Sequence, residues 1–209
     1  FSARTGQRFM AFSEKCDEEK RLLDEPHYLE KDKTDKLSVL KSPEFPAGKF
    51  DIIYADPPWQ FDNSGFTQSA AAHYPTMATN EIMNLPIKAE DDSVIFLWAT
   101  NAMLEDALKV MGAWNFDYKS NIVWIKSSGI GIGWFVDSRH ELLLIGVKGS
   151  GLHPKFKPHS WIQAKTEKKH SKKPEIFYEI IEKMYPKQKY IELFARNKRD
   201  NWTSWGNET

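Results

Sequence analysis

The sequence predicts an α/β protein whose sheet is covered by helices on both faces. Segments typical of strands alternate with segments typical of helices, and several of the strands are continuous apolar runs. The composition agrees, because 209 residues with 41 % hydrophobic and 28 % charged side chains suit one soluble globular domain.

The first 46 residues differ from the rest of the chain. They are rich in Lys, Asp and Glu, and three prolines interrupt them. A helix is predicted over 13–23, because Ser13 can cap it and acidic residues occupy its first turn. We therefore expect residues 1–46 to form a charged, partly helical N-terminal extension and residues 47–209 to form the main domain.

Strand signals follow one another from residue 49 onward. Apolar runs rich in β-branched and aromatic residues are typical of buried strands. On this pattern we predict five main strands and one short strand, over 50–55, 93–99, 118–126, 140–148, 189–195 and 160–165.

Two helices are predicted between these strands. Asn101 is expected to cap a helix over 102–111 that ends at Gly112, since Asn favours the N-cap and Gly ends helices. A second helix is expected over 174–185, because proline suits the first helical position and Glu175 would lie near the positive end of the helix dipole.

Composition also excludes several classes of protein. A single cysteine, Cys16, rules out an internal disulfide and a cysteine-based metal cage, which suits a reducing compartment. The apolar runs are far shorter than the ~20 residues that span a bilayer, and no secretory signal is visible at the start. We therefore expect an intracellular protein without a membrane segment, nuclear in a eukaryote and cytoplasmic in a bacterium or phage.

Formal net charge is zero, which argues against a wholly basic nucleic-acid binder, but the charge is unevenly distributed. Residues 148–173 contain eight lysines and one acid, Glu167, with three histidines and Trp161 among them. Such a stretch can follow a phosphate backbone. It can equally be a solvated lysine-rich loop that serves solubility.

The most unusual segment is Asp-Pro-Pro-Trp at 56–59, directly after the predicted strand 50–55. Ligands bind beyond the carboxyl ends of strands in open α/β sheets. The prolines fix φ and carry no N–H, so the segment forms a stiff turn. This turn would display the Asp56 carboxylate and the Pro57 carbonyl as acceptors, with the Trp59 ring beside them.

Two acceptors beside an aromatic ring suit a planar group that bears an –NH₂, such as the exocyclic amine of a nucleobase. Accepting both amine hydrogens would free the nitrogen lone pair to capture a methyl group carried on a positively charged sulfur. Neither a metal nor a covalent enzyme intermediate is required. The alternative is a strand end followed by a Pro-Pro turn and a buried tryptophan.

The segment ADPPW resembles the adenine-N6 methyltransferases related to the seventy-kilodalton subunit of the messenger-RNA adenosine methyltransferase. The resemblance covers roughly residues 49–208 and implies a Rossmann-like fold that uses S-adenosylmethionine. It also implies a permuted order, with the catalytic motif before the cofactor segment. Further segments follow in the family's order: HYPTM (73–77), IFLWAT (95–100), NIVWIK (121–126), HELLLIG (140–146), HSKKPEIFYEIIEKMYP (170–186), IELFAR (191–196) and WTSWGNE (202–208).

The resemblance assigns a catalytic tetrad, which is Asp56, Pro57, Pro58 and Trp59. Asp56 and Pro57 would bind the target amine and border the cofactor, and Trp59 would flank the base. Tyr74 matches an aromatic residue in the loop that gates the adenine pocket. In isolation, each aromatic residue could equally be a core side chain.

The resemblance also assigns cofactor-binding positions. Lys173 matches a lysine near the cofactor carboxylate. The end of the last predicted strand would hold the cofactor through Glu192, Leu193, Phe194, Arg196 and, more weakly, Asn197. A pair near residue 208 would reach the cofactor ribose, namely Asn207 and Glu208, the latter replaced by an amide in the messenger-RNA enzyme. An ungapped register adds Ser38 and Val39 near the cofactor adenine. Alternatively, the charged positions form ordinary surface contacts, with Lys173 as a solvated helix-end charge.

Three functions remain open on the sequence. The first is methylation of adenine in nucleic acid, with DNA favoured over RNA because several motifs look closer to DNA-modifying branches of the family. The second is a non-catalytic subunit that binds nucleic acid, although such subunits typically lose the acidic motif that this chain keeps. The third is methylation of a cytosine amine or a protein amide. A protein partner, such as a catalytically inactive homologue, is expected from the resemblance and from the absence of a sequence-reading module.

Overall fold

A computed structural model describes residues 44–60, 76–127, 135–166 and 172–206 of the chain. The helix predicted over 13–23 and the extension to residue 43 lie outside these ranges, so both stay predictions. Within the described ranges, no helix is both long enough and apolar enough to cross a membrane.

Seven strands form one sheet in the order β5-β3-β4-β2-β1-β6-β7. Strand β4 runs antiparallel to both of its neighbours, and every other pair is parallel. The carboxyl ends of six strands therefore meet the amino end of β4 at one edge of the sheet. The strands are β1 (Phe50–Ala55), β2 (Ala89–Ala99), β3 (Asp117–Lys126), β4 (His140–Lys148), β5 (Trp161–Ala164), β6 (Tyr190–Leu193) and β7 (Trp202–Trp205).

The predicted bounds of β1 and β4 are confirmed, and those of two other strands are corrected. Strand β2 begins four residues before the predicted start, at Ala89, with exposed acids in its first half. Strand β6 ends at Leu193 rather than at residue 195, because Phe194 has a φ of 61° and leaves the extended conformation. Strand β7 was not predicted.

In the part of the chain that the structure describes, three α-helices accompany the sheet: α1 (Thr79–Met83), α2 (Leu104–Ala113) and α3 (Ile176–Met184). Helix α1 was not predicted. The prediction that Asn101 caps a helix is wrong, because Asn101 opens a short 3₁₀ turn and its side-chain amide donates to the Ser138 hydroxyl at 3.2 Å.

The predicted ends of two helices also need correction. Gly112 lies inside α2, and the chain turns away at Asn115, which has a positive φ of 63°. Helix α3 begins at Ile176 rather than at Pro174, whose carbonyl accepts a hydrogen bond from the Phe177 N–H.

Both faces of the sheet are buried, as predicted. Alternating residues of β1 and β2 point to opposite faces, because side chains alternate along a strand. On one face Ile53 and Leu97 pack in the same cluster as α1 and α2 residues, and on the other Tyr54 and Trp98 pack in the same cluster as α3 residues. The Trp98 ring meets the Phe177 ring edge-on, with centroids 4.8 Å apart.

Candidate active site

The Asp-Pro-Pro-Trp segment forms a tight turn at the carboxyl end of β1. The Trp59 N–H donates to the Pro57 carbonyl at 2.9 Å, which closes a three-residue turn around Pro58. The Met77 N–H donates to the Pro58 carbonyl at 2.8 Å. The Pro57 carbonyl thus already accepts one hydrogen bond, and its second lone pair is what it can offer a ligand.

Asp56 lies one residue beyond β1 and is held by a buried cation. The Lys173 ammonium donates to both carboxylate oxygens of Asp56, each at 2.8 Å. The Lys173 side chain is 7 % exposed and that of Asp56 is 22 % exposed, so the carboxylate remains open on one side. The alternative of a helix-end lysine in water is therefore wrong for Lys173.

A second carboxylate completes a chain of alternating charges. Glu141, near the start of β4, lies 3.2 Å from the Lys173 ammonium through one oxygen and 2.6 Å from the Lys126 ammonium through the other. The Lys173 ammonium also lies 5.2 Å from the centre of the Trp98 ring, within reach of a cation–π contact.

Burial and these neighbours shift the protonation of the network. Burial raises the pKa of Asp56, and repulsion from Glu141 adds to this rise. Lys173 lowers the pKa but does not fully offset the effect of burial. For Glu141, burial acts in the same upward direction, but Lys173 and Lys126 outweigh it and hold its pKa below the ordinary value. Burial disfavours the charged form of Lys173, yet Asp56 and Glu141 outweigh it and raise the Lys173 pKa.

Trp59 lies in the core rather than standing free beside Asp56. Its side chain is 6 % exposed, and the indole N–H donates to the Trp98 carbonyl at 3.1 Å. The structure therefore agrees with the alternative of a core aromatic residue. The flanking of a base by Trp59 stays a prediction.

The end of β6 contributes a second acidic group to the same edge of the sheet. The Tyr178 hydroxyl donates to the Glu192 carboxylate at 2.7 Å, in place of the surface ion pair that was the alternative. Burial raises the pKa of Glu192 to about 7, and the negative charge of nearby Asp56 adds to this shift. Burial also raises the pKa of Tyr178.

The remaining predicted residues of this strand end differ in their surroundings. Leu193 is fully buried, and the Phe194 ring lies edge-on to Trp205 with centroids 5.8 Å apart. Arg196 lies close enough to Asp56 to lower the carboxyl pKa, although the net shift is upward. Asn197 is exposed, and its carbonyl accepts from the Ser204 hydroxyl at 3.5 Å.

Four residues of this site were missed from the sequence: Lys126, Glu141, Tyr178 and Thr100. Glu141 contacts the predicted residue Lys173, Tyr178 contacts the predicted residue Glu192, and Lys126 contacts Glu141. These contacts join residues far apart in the chain, so no local pattern marks them. Thr100 follows β2 at the same edge, and its hydroxyl oxygen is the one buried side-chain polar atom of the described ranges without a hydrogen-bond partner. A buried unpaired hydroxyl is rare in proteins, and either an ordered water or a bound ligand can supply its partner.

This set of groups fits S-adenosylmethionine, which carries a sulfonium, an ammonium, a carboxylate and ribose hydroxyls. Asp56 and Glu192 supply acceptors on adjacent strands, Thr100 offers an unused hydroxyl, and Arg196 carries a positive charge. The three donors of Lys173 are directed at Asp56 and Glu141, so its predicted contact with the cofactor carboxylate stays a prediction.

Several predicted positions lie outside the described residues, namely Tyr74, Asn207, Glu208, Ser38 and Val39. Their roles remain predictions. Among the residues that are described, no group of three or more His, Cys, Asp or Glu side chains could hold a metal ion.

The seven-stranded α/β sheet, with an acid-led turn after β1 and an acidic strand end at β6, is consistent with the fold of an S-adenosylmethionine-dependent methyltransferase. Residues 50–208 match the MT-A70 family, and the chain belongs to that family. Dependence on S-adenosylmethionine is a general property of MT-A70 methyltransferases.

The relatives of this chain differ in length. The chain is 31 % identical over 188 residues to the Type II methyltransferase M.MunI of Mycoplasma sp, and the match covers 79 % of this chain and 80 % of that protein. It is 28 % identical over 172 residues to the N(6)-adenosine-methyltransferase catalytic subunit METTL3 of Homo sapiens, covering 77 % of this chain and 28 % of that protein. A probable N(6)-adenosine-methyltransferase MT-A70-like protein of Oryza sativa subsp. japonica is 30 % identical over 171 residues, with 77 % and 23 % covered. The chain thus spans about a quarter of the length of the latter two.

Proposed function

We propose that this chain transfers a methyl group from S-adenosylmethionine to the exocyclic N6 amine of adenine in nucleic acid, with DNA as the favoured substrate. One observation carries the proposal. The Asp56 carboxylate, clamped on both oxygens by buried Lys173, lies next to the Pro57 carbonyl in a rigid turn at the carboxyl end of β1.

The residues of the turn act on the amine. One Asp56 oxygen and the free lone pair of the Pro57 carbonyl accept the two amine hydrogens, which holds the nitrogen in place and makes its lone pair available. Prolines and the Trp59 and Met77 hydrogen bonds fix both acceptors before the substrate arrives, so little reorganisation is needed. When bound, the cofactor would supply the methyl group from its sulfonium and leave as a neutral thioether, and the proton lost from the methylated amine would pass to the Asp56 oxygen that already accepts it.

The Lys173 ammonium keeps Asp56 in its accepting form. Burial alone would favour a protonated carboxyl, which accepts fewer hydrogen bonds than a carboxylate. Lys173 reduces this tendency, and Glu141 in turn keeps Lys173 charged and directed at Asp56. Lys173 and Glu141 therefore act through Asp56 as positioning residues.

The acidic end of β6 would hold the cofactor. Glu192 lies near the end of β6, the strand that pairs with β1, and Phe194 and Arg196 follow that strand. All three therefore lie at the same sheet edge as Asp56. The Tyr178 hydroxyl fixes the Glu192 carboxylate and leaves its other oxygen available for a donor on the ligand.

The preference for DNA is supported by motifs and by sequence identity. HYPTM, HSKKPEIFYEIIEKMYP and ELFARNKRDNW look closer to DNA-modifying branches of the family. The chain is also 31 % identical to the Type II methyltransferase, against 28 % for the human N(6)-adenosine-methyltransferase subunit. In a duplex the adenine must leave the stack to reach Asp56, which costs a few kcal/mol. The cell compartment is the nucleus for a eukaryotic source and the cytoplasm for a bacterium or phage.

A protein partner belongs to the same proposal. A net charge of zero gives the domain little general affinity for phosphate backbones, so a second subunit, such as a catalytically inactive homologue, would add affinity and target selection. Robust activity of the isolated chain on natural DNA would contradict this part of the proposal.

The test is methyl transfer from labelled S-adenosylmethionine to single-stranded DNA, duplex DNA and RNA, with and without candidate partners, followed by nucleoside analysis. Wild-type protein should yield N6-methyladenine, and Asp56→Ala should lose at least about 100-fold in rate because an acceptor is removed. Asp51→Ala is the matched control, since it removes an acid from the opposite end of the same strand. Full activity of Asp56→Ala, or methylated cytosine or protein as the product, would refute the proposal.

A further inference from the structure

Two large aromatic side chains lie exposed in the segment that leads into the edge strand β5 and begins it. Trp161, the first residue of β5, is 55 % exposed, and Phe156, five residues earlier, is 45 % exposed. We propose that this border, which we call the β5 border (residues 153–165), binds a single strand of nucleic acid by base stacking and phosphate contacts. The inference deepens the proposed function. Only the statement that the bound strand leads to Asp56 rests on that function.

The position of β5 explains why Trp161 stays exposed. Strand β5 ends the sheet and pairs only with β3. Ile162 and Ala164 pack on the face that holds α3, so Trp161 points to the opposite face. Ile125 of β3 is exposed as well, which extends the apolar surface beside Trp161.

The charge around these rings is of one sign. Residues 149–166 contain no Asp or Glu, and three exposed lysines, Lys155, Lys157 and Lys165, lie in the same segment as the aromatic side chains. None of the three forms an ion pair within the described parts of the chain. Exposed lysines elsewhere do, as in Lys49–Asp91 and Lys119–Asp117.

The rings are arranged as a surface for flat groups. The imidazole of His159 lies near the Trp161 indole, with centroids 6.5 Å apart and planes inclined by 24°. Every base has a π-face, so exposed rings flanked by cations bind single strands without sequence preference. A protein strand pairing with β5 would also cover this border, but it gives no reason for three unpaired lysines and no acid.

The direction of the sheet links this surface to the site. Strand β5 runs parallel to β3, and β3 runs in the same direction as β1, because both are related through antiparallel β4. The carboxyl end of β5, followed by Lys165, therefore lies at the same sheet edge as Asp56. A strand of nucleic acid lying along the β5 border would run towards the amine-binding turn.

The test is direct binding of a fluorescent single-stranded oligonucleotide to the full chain, measured by anisotropy across a salt series. Phe156→Ala with Trp161→Ala should weaken binding by at least about fivefold, since stacking on one ring contributes at least this much per base. Replacing the three lysines by Gln should lower the slope of log K against log salt by about 2, at about 0.7 per phosphate contact.

Two matched controls define the result. Leu108→Ala removes an exposed apolar side chain of α2, and Lys49→Gln with Lys88→Gln removes lysines at the opposite sheet edge, so neither should change affinity. Equal affinity of the aromatic variant and wild type, including no measurable binding by either, overturns the inference. If the aromatic variant loses binding to a protein partner while its affinity for the oligonucleotide is unchanged, the inference is also overturned. Binding is read without catalysis, so a chain that binds here but transfers no methyl group refutes only the proposed function.

Discussion

Replacing Lys173 by Met tests whether this lysine sets the protonation state of Asp56. The change removes the cation that donates to both Asp56 oxygens and leaves Asp56 and Glu141 without a shared counter-ion. Two like charges then face each other at no more than about 6 Å, because both lie within 3.2 Å of the same ammonium. Asp56 should therefore take up a proton at higher pH than in the wild type.

The size of the lost attraction follows from the distances. For unit charges 2.8 Å apart, Coulomb's law at an effective dielectric constant of about 20 gives about 6 kcal/mol. Water reaches the 22 % exposed Asp56 side chain, and relaxation after the substitution absorbs more of the effect, so the net loss is smaller than this figure. We therefore expect the Asp56 pKa to rise in Lys173→Met.

The assay is the pH dependence of kcat for methyl transfer at saturating cofactor, so that weakened cofactor binding does not imitate the effect. The acid limb should move to higher pH in Lys173→Met. Glu141→Gln should move it in the opposite direction, because the repulsion that raises the Asp56 pKa is removed, and the double variant should lie between the two. An acid limb of Lys173→Met that coincides with that of folded wild-type protein would refute the role of Lys173.

Three further predictions concern other parts of the molecule. Burial raises the pKa of Glu192 from an ordinary value of 4.5 to about 7, so between these pH values the folded state keeps a proton that the unfolded state releases. The free energy of unfolding should therefore fall by up to about 3 kcal/mol as pH rises through this window. Urea unfolding at pH 5 and 8 should show this loss in wild-type protein and not in Glu192→Gln. Gly206→Ala would place a methyl group 2.3 Å from the Ala195 carbonyl oxygen and should lower the free energy of unfolding by about 1–3 kcal/mol, whereas Gly112→Ala has open space in a helix and should raise it by about 0.5–1 kcal/mol. Thr100→Val should leave thermal stability intact, because its hydroxyl has no partner in the protein, and should weaken cofactor or substrate binding in a titration by about tenfold; unchanged affinity would exclude a ligand contact.

Much of the fold could be predicted because the central strands are buried on both faces. The apolar runs of β1 and β4 marked their bounds correctly, since no solvent-facing residue interrupts them. Strand β2 was predicted too short because exposed acids such as Asp91 and Asp92 occupy its first half. The positive φ of Phe194 is set by packing rather than by a glycine, so no sequence signal announced the end of β6.

The site divides in the same way. Asp56 could be predicted because its prolines and its place after an apolar strand are local signals. Glu141 and Lys126 could not, because their contact depends on β4 entering the sheet antiparallel between β2 and β3. The burial of Trp59 likewise depends on the Trp98 carbonyl, 39 residues away in sequence.

Strand β1 lies between one neighbour, β2, that follows it closely in the chain and another, β6, that follows it at a long distance. Asp51 and Lys189, at the start of the β1–β6 pairing, are 138 residues apart in the chain. During synthesis on the ribosome, the hydrogen-bonding groups on one side of β1 must therefore wait until β6, more than a hundred residues later, has emerged. Pairings this remote in sequence fold slowly and leave strand edges open to aggregation. Expression should accordingly depend on chaperones that shield nascent chains, and on slower translation at low temperature.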